Sequence, residues 1–331
     1  MAKITRQQDG TTFECAEGDT ILRAALRAGL GMPYSCNTGS CGNCRFELKE
    51  GEVEHLRADP PAWSERDLKR NRYLGCQAAP KGDCTVKFRE MEEYVPPVRP
   101  AVREAELLEI TPITHDISEF TFRIDGDPAF RAGQYALLNV PGVEGARAYS
   151  MSNLGDEDVW RFMIKKMPGG AATGWLFDAK PVAKLSIDGP YGTAWLREDA
   201  PRDIVCLAGG SGLSPMVSIA KAALKTGMLE DRKLHLYYGC RDEPDLFEPG
   251  ILGDELLKKI RLTVALSDPG EGCGWTGATG FLHDVVAEEM GEDLADCEIY
   301  FAGPAVMSAA VQKTAHEAGV PMDRVHFDEF Y

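Results

Sequence analysis

Hydrophobic and polar positions change their period twice along the chain. Near the amino end, Thr12-Phe-Glu-Cys15 alternates as a short strand does. Ile21, Leu22, Ala25 and Leu26 then recur at helical spacing and predict a helix over Ile21 to Ala28, with Asp19 or Thr20 as N-cap and Gly29 as its end. A strand is predicted over Arg45 to Lys49, and Cys84, Val86 and Phe88 alternate on another. Between residues 102 and 199 the pattern is mostly that of strands: Ala105–Ile110, Ile117–Ile124, Tyr135–Val140, Trp160–Lys165 and Lys184–Ile187. Gly and Pro turns separate them, as in a small antiparallel barrel. From Asp203 onward, strands and helices alternate. The strands are Ile204–Ala208, Leu234–Gly239, Leu262–Ser267, Glu298–Ala302 and Arg324–Phe327; the helices are Pro215–Thr226, Asp254–Lys259, Phe281–Met290 and Ala305–Ala318. That order predicts a doubly wound parallel sheet.

Composition sharpens these boundaries. The 331 residues suggest two domains, or three small ones. Tyr94-Val-Pro-Pro-Val-Arg-Pro100 is a stiff linker, and Glu198 to Asp203 is a softer break. The predicted division is therefore 1–93, a linker over 94–101, then 102–199 and 200–331. Residues 1–90 carry 14 basic and 13 acidic side chains, while residues 91–331 carry 22 and 39, so the net charge of −16 belongs to the later part. Such acidity argues against a nucleic-acid partner. No stretch has the length of a membrane span, and the first residues lack the apolar core of a signal peptide, so a cytoplasmic location is expected.

In a reducing compartment the ten cysteines are not a disulfide framework. Cys36, Cys41 and Cys44 sit on one Gly-rich loop in C-x4-C-x2-C spacing, and Cys76 follows after 31 residues. Three thiolates on a curled loop plus one from a distant element suit a two-iron cluster, with Gly39 and Gly42 allowing the close approach. Zinc prefers paired C-x2-C knuckles, and only one such pair exists here. Pro33-Tyr-Ser-Cys-Asn-Thr-Gly-Ser-Cys-Gly-Asn-Cys44 with Gly75-Cys-Gln77 resembles the plant-type [2Fe-2S] ferredoxin domains fused to bacterial oxygenase reductases. The resemblance implies a β-grasp fold with Cys36, Cys41, Cys44 and Cys76 as ligands; Cys84 reads as a buried, inert thiol.

Three further strings lie between the linker and Asp203. Arg147-Ala-Tyr149-Ser150 offers a guanidinium fork for pyrophosphate and a ring to lie against a planar cofactor. Pro168 to Phe177, containing Gly170, Ala172 and Thr173, is a Gly-rich turn entering a helix. Asp188-Gly-Pro-Tyr-Gly192 reads as a tight turn after a strand. In this order the strings resemble the FAD-binding domain of the ferredoxin-NADP reductase superfamily. The resemblance implies that Arg147 and Thr173 hold the flavin pyrophosphate, Tyr149 packs on the isoalloxazine and Ser150 meets its N5 edge.

The first strand of the last segment ends in Gly209-Gly210-Ser211-Gly212, ahead of Pro215, where backbone could approach a diphosphate. Another ends in Gly303-Pro304, with Met307 beyond; both strings resemble the nicotinamide domain of the same superfamily, although Ala302 stands where many relatives have Cys. Arg241 and Asp242 follow the second strand. Asp242 and Glu243 would repel a 2′-phosphate, which favours NADH, while Arg241 leaves NADPH open. In that superfamily a terminal aromatic often shields the flavin, so Phe330 and Tyr331 are candidates.

Together the resemblances imply a reductase component of a bacterial multicomponent aromatic dioxygenase or monooxygenase. Electrons would pass from NADH to FAD, then to the [2Fe-2S] cluster, then to a terminal oxygenase or hydroxylase, directly or through a separate ferredoxin. A cytochrome P450 or a sugar-deoxygenating enzyme is the alternative acceptor; a zinc-binding adaptor is the alternative of a different class. Because residues 1–90 are nearly neutral, docking need not be the acidic-on-basic encounter of soluble plant ferredoxins.

Overall fold

The computed structural model describes residues 1–270 and 272–328. Strands β1 (Ala2–Arg6) and β2 (Thr12–Cys15) form a hairpin that leads into α1 (Ile21–Arg27). Ile21, Leu22, Ala25 and Leu26 are fully buried, and apolar side chains of the Leu and Ile size contribute about 1.5–3 kcal/mol each. Thr20 is the N-cap, accepting from the Arg23 N–H, which leaves Asp19 free to pair with Arg27 at 2.8 Å. Then follow β3 (Arg45–Glu50), β4 (Val53–His55), α2 (Glu65–Lys69), β5 (Arg72–Leu74), β6 (Ala78–Pro80) and β7 (Cys84–Lys87). The sheet runs β2-β1-β7-β3-β5, with β1 and β7 parallel and α1 on β2 and β6, which is the β-grasp arrangement. Cys84 is buried on β7, as its alternation predicts.

Beyond the linker come β8 (Ala101–Pro112), β9 (Ile117–Ile124), β10 (Tyr135–Asn139), β11 (Arg147–Ser150), β12 (Val159–Lys165), α3 (Ala171–Asp178) and β13 (Lys184–Tyr191). Their antiparallel sheet runs β11-β10-β13-β8-β9-β12, and a bridge between Met151 and Phe162 nearly closes it into a barrel. Phe120, Phe122, Trp160 and Phe162 fill its centre. One expectation is corrected. Asp188 to Tyr191 is not a turn after the strand but the end of β13 itself, paired with β10. A register shift between Tyr135 and Leu137 on β10 absorbs Gly189 and Pro190, so the proline fits within a strand.

The last segment contains β14 (Ile204–Gly209), α4 (Leu213–Lys225), β15 (Leu234–Cys240), α5 (Asp254–Leu257), β16 (Arg261–Leu266), β17 (Ala278–Thr279), α6 (Leu282–Met290), β18 (Glu298–Ala302), α7 (Ala305–Glu317) and β19 (Val325–His326). The sheet is parallel throughout, ordered β17-β16-β15-β14-β18-β19. The succession of strands switches from one side of β14 to the other at β18, the place where such sheets open a ligand crevice. A 3-10 turn, Gly210–Gly212, precedes α4, so Pro215 lies in the first turn of the helix rather than opening it.

Candidate functional site

The loop after α1 carries three of the predicted thiols, and the segment after β5 brings Cys76 to them. Gly39 and Gly42 have φ of 88° and 84°, the left-handed backbone that lets the loop curl. The curl aims the N–H groups of Thr38, Ser40 and Cys41 at the Cys36 sulfur, each at 3.4 Å. On the other side the Cys44 and Cys76 sulfurs lie 3.3 Å apart, and the Cys76 N–H donates to the Cys44 sulfur at 3.5 Å. The hydrogen bond with the Cys41 thiol, helped by backbone N–H donors, holds Cys36 below the usual thiol range, while the same contact pushes Cys41 up. Cys76 likewise lowers Cys44 and is itself raised. Four sulfurs, two of them favoured as thiolates and surrounded by N–H donors, fit a cluster that needs thiolate ligands and sulfur-directed hydrogen bonds.

A second site is a cavity of about 950 Å³ between the barrel and the parallel sheet. Tyr149 and Ser150 of β11 line one wall, and burial pushes the Tyr149 phenol up to about 12. Opposite them, Gly209, Gly210 and Gly212 line the floor at the end of β14, and Gly303 and Pro304 follow β18. Helix α4 begins here behind the Gly210–Gly212 turn with no side-chain cap, and the positive end of its dipole favours an anion. A Cβ on Gly212 would stand 2.0 Å from the Ala302 carbonyl oxygen, so the loop is a cradle only glycine permits. This shape, with an aromatic wall and a helix-start floor, fits a flavin with a dinucleotide across the strand ends.

Not every predicted residue lines that cavity. Arg147 turns its guanidinium onto the carbonyls of Glu144, Gly145 and Ala146. The Thr173 hydroxyl accepts from the Met167 N–H and donates to the Gly170 carbonyl at the start of α3, with Ala172 buried behind it. Arg241 reaches the mouth, whereas Asp242 accepts from the N–H groups of Glu243 and Gly270. Phe330 and Tyr331 lie outside the described residues. Sequence reasoning missed Met163 and Lys165 on the barrel wall and Asp245 at the mouth, none of which carries a motif.

The two sites are joined by hydrogen bonds that no local pattern announces. Tyr135, fully buried and opposite Ser150 in the β10–β11 register, donates to the Ser35 carbonyl at 2.6 Å, one residue from Cys36. The Gly192 N–H donates to the Tyr34 hydroxyl at 2.8 Å, and Arg27 bridges Asp19 and Asp188 at 2.8 and 2.7 Å. On the other flank the buried Ser214 hydroxyl donates to the Ser150 carbonyl at 2.7 Å and accepts from the Met163 N–H at 3.1 Å. Ser214→Ala should therefore cost about 1–3 kcal/mol, because it strands a buried carbonyl and N–H. Denaturant unfolding of the purified variant measures this, and unchanged stability would contradict it.

Fold and sites define a class: a cluster-binding β-grasp module joined to a flavin- and dinucleotide-binding module. Comparison with known families agrees. Residues 4–81 match the 2Fe-2S iron-sulfur cluster binding domain, 104–195 the oxidoreductase FAD-binding domain and 206–313 the oxidoreductase NAD-binding domain. The chain is 38% identical to the ferredoxin–NAD(P)+ reductase CarAd of Metapseudomonas resinovorans, over 99% of both chains. It is 38% identical to the ferredoxin–NAD(+) reductase component of the alkene monooxygenase system of Xanthobacter autotrophicus, over 98% of this chain and 99% of that one. Among solved structures, the ferredoxin reductase in carbazole 1,9a-dioxygenase superposes with a TM-score of 0.92 at 34% identity, covering 100% of this chain and 98% of that one. The chain belongs to the family of ferredoxin–NAD(P)+ reductases in which a [2Fe-2S] domain is fused to FAD- and NAD-binding domains, and is an oxidoreductase taking electrons from NAD(P)H.

Proposed function

We propose that this chain is the reductase component of a multicomponent oxygenase, with NADH as electron source and a terminal oxygenase or hydroxylase as final acceptor. A separate ferredoxin is an admissible carrier between them. The observation that carries the reading is the Tyr135–Ser35 hydrogen bond, which ties the strand beside Ser150 to the backbone next to Cys36. It couples a flavin wall to a cluster loop within one buried contact. The relatives reported above serve a dioxygenase and a monooxygenase, which supports the acceptor class without choosing between them.

In this reading Cys36, Cys41, Cys44 and Cys76 hold the cluster. Arg147, Gly170, Ala172 and Thr173 serve the flavin phosphates, while Tyr149 and Ser150 face its ring. Gly209, Gly210, Gly212, Gly303 and Pro304 receive the dinucleotide. Flavin, when bound, exchanges two electrons or one, and a plant-type cluster exchanges one. The chain's own part is to orient the ring against Tyr149, accept a diphosphate at the start of α4, and keep Cys36 in register with β10. The division into 1–93, 94–101, 102–199 and 200–331, and a cytoplasmic location, belong to the same reading; among the described residues no helix is long and apolar enough to cross a membrane.

The preference for NADH has support at the end of β15. The Arg241 guanidinium, the cation that would favour a 2′-phosphate, is engaged by Asp268 at 3.2 Å. Asp268→Ala should free Arg241 and lower the NADH-to-NADPH ratio of kcat/KM by up to about fivefold, the scale of an exposed ion pair worth at most about 1 kcal/mol. An unchanged ratio would remove Arg241 from the choice. The wider reading is tested by coupling the purified holoprotein to candidate oxygenases and measuring product against NADH consumed. Electron delivery only to small dyes, with no oxygenase turning over, would sink it.

A further inference from the structure

The near-neutral charge of residues 1–90 hides a segregation. The segment from Leu56 to Arg72 carries five basic residues, Arg57, Arg66, Lys69, Arg70 and Arg72, against three acidic ones. All five cations are exposed, and none has an ion-pair partner among the described residues. Asp67 is tied to Arg45 at 3.3 Å, which leaves only Asp59 and Glu65 as free carboxylates among them.

This segment lies directly on the cluster loop. The Ala62 N–H donates to the Gly39 carbonyl at 3.2 Å, and the Leu56 N–H donates to the carbonyl of Gln77, the neighbour of Cys76, at 2.8 Å. Arg45 donates to the Gly42 carbonyl at 2.9 Å and also to Ala62, clamping the loop to the strap. Trp63 donates to the Arg72 carbonyl at 2.8 Å, fixing the strap to β5. Cys41 is the one predicted ligand that is not buried, so the strap rims the side on which the thiols come nearest to solvent. Along the same strap Leu56 and Leu68 are 46% and 50% exposed, two apolar side chains interspersed in sequence with its cations.

We propose that this strap, with exposed Arg57, Arg66, Lys69, Arg70 and Arg72 and exposed Leu56 and Leu68, docks the electron acceptor, and that the acceptor's docking surface is acidic. The physical argument is one of orientation. The chain as a whole carries −16, so an acidic partner is repelled from most of its surface and attracted at this face. Repulsion elsewhere and attraction beside Cys41 select the encounter that can pass an electron. Exposed leucines supply the short-range contact once the charges have met.

The inference rests on the reading of the chain as a reductase serving a protein acceptor, and the test separates the two. The full-length holoprotein and its K69E/R70E/R72E variant are compared in reducing cytochrome b5, an acidic one-electron acceptor, and cytochrome c, a basic one, across ionic strength. NADH-driven reduction of the cluster within each protein is followed anaerobically. The expected result is a wild-type cytochrome b5 rate that falls with salt, and a variant at least about tenfold slower at low salt with little salt dependence. Cytochrome c reduction and internal cluster reduction should not fall. A variant that reduces cytochrome b5 like the wild type would overturn the docking face. So would a wild-type dimer that the substitutions dissociate, because the face would then belong to a second copy. Failure of NADH to reduce the cluster in the wild type would instead overturn the reductase reading itself.

Discussion

Cys36→Ser abolishes electron delivery to cytochrome c while leaving NADH-to-ferricyanide activity in place. This expectation follows from how the two sites are built. The Cys36 sulfur collects the N–H groups of Thr38, Ser40 and Cys41, so the curl of the whole loop is organised around it. Even partners one shell out from a metal ligand are worth about 10–100-fold, so loss of a ligand should exceed about 100-fold. Ferricyanide can take electrons at the cavity, whose lining includes no residue of the cluster loop. Cys41→Ser should behave alike. Cys84→Ser is the control: that thiol is buried on β7 and donates to the carbonyls of Glu52 and Gly82, away from the loop. The readouts are the visible absorbance of the purified protein and the two acceptor assays side by side. Loss of both activities in Cys36→Ser would mean that the cluster loop also supports the flavin site, through Tyr135 and Tyr34.

What the sequence disclosed depended on whether a signal was local. Cysteine spacing with Gly39 and Gly42 is local chemistry, and the loop curls as that chemistry requires. Strand and helix periods in the last segment are local as well, and β18 falls on the predicted Glu298–Ala302. Helix α2 escaped although its signal was present: Ser64 and Asp67 form a capping box three residues apart. The path of Asp188 to Tyr191 could not be read, because a Gly-Pro pair signals a turn unless a bulge on a distant strand accommodates it. Least legible were the bonds between segments. Ser35 and Tyr135 are a hundred residues apart, and nothing near either one names the other. The same holds for the charge of the cluster module, where a net of +1 conceals a basic face that appears only when the strap is folded onto the loop.

The second large effect is expected from a single methyl group at Gly212. Its Cβ would lie 2.0 Å from the Ala302 carbonyl oxygen and 2.4 Å from the Ala302 carbonyl carbon, both backbone atoms that cannot rotate away. Gly210, two residues earlier, faces open space, though its φ of 54° carries its own strain for a side chain. In Gly212→Ala either the turn before α4 or the end of β18 must move, and these are the two edges of the crevice that would hold a dinucleotide. Overpacking of this kind costs about 1–3 kcal/mol of stability. The functional loss should be larger, because a misplacement of roughly 1 Å between reacting groups costs about 100-fold in rate. NADH-driven reduction of the flavin, followed by stopped flow, should therefore slow by about that factor. Variant protein reduced photochemically should still reduce cytochrome c, since no residue of the cluster loop lines the cavity and the Tyr135–Ser35 contact is made from β10, not from the strand ends of β14 and β18. If NADH reduced Gly212→Ala as fast as the wild type, the strand ends of β14 and β18 could not be where the nicotinamide enters. If photochemical reduction failed to reach cytochrome c as well, the damage would be to the fold, and denaturant unfolding would show it as a loss well beyond the overpacking cost.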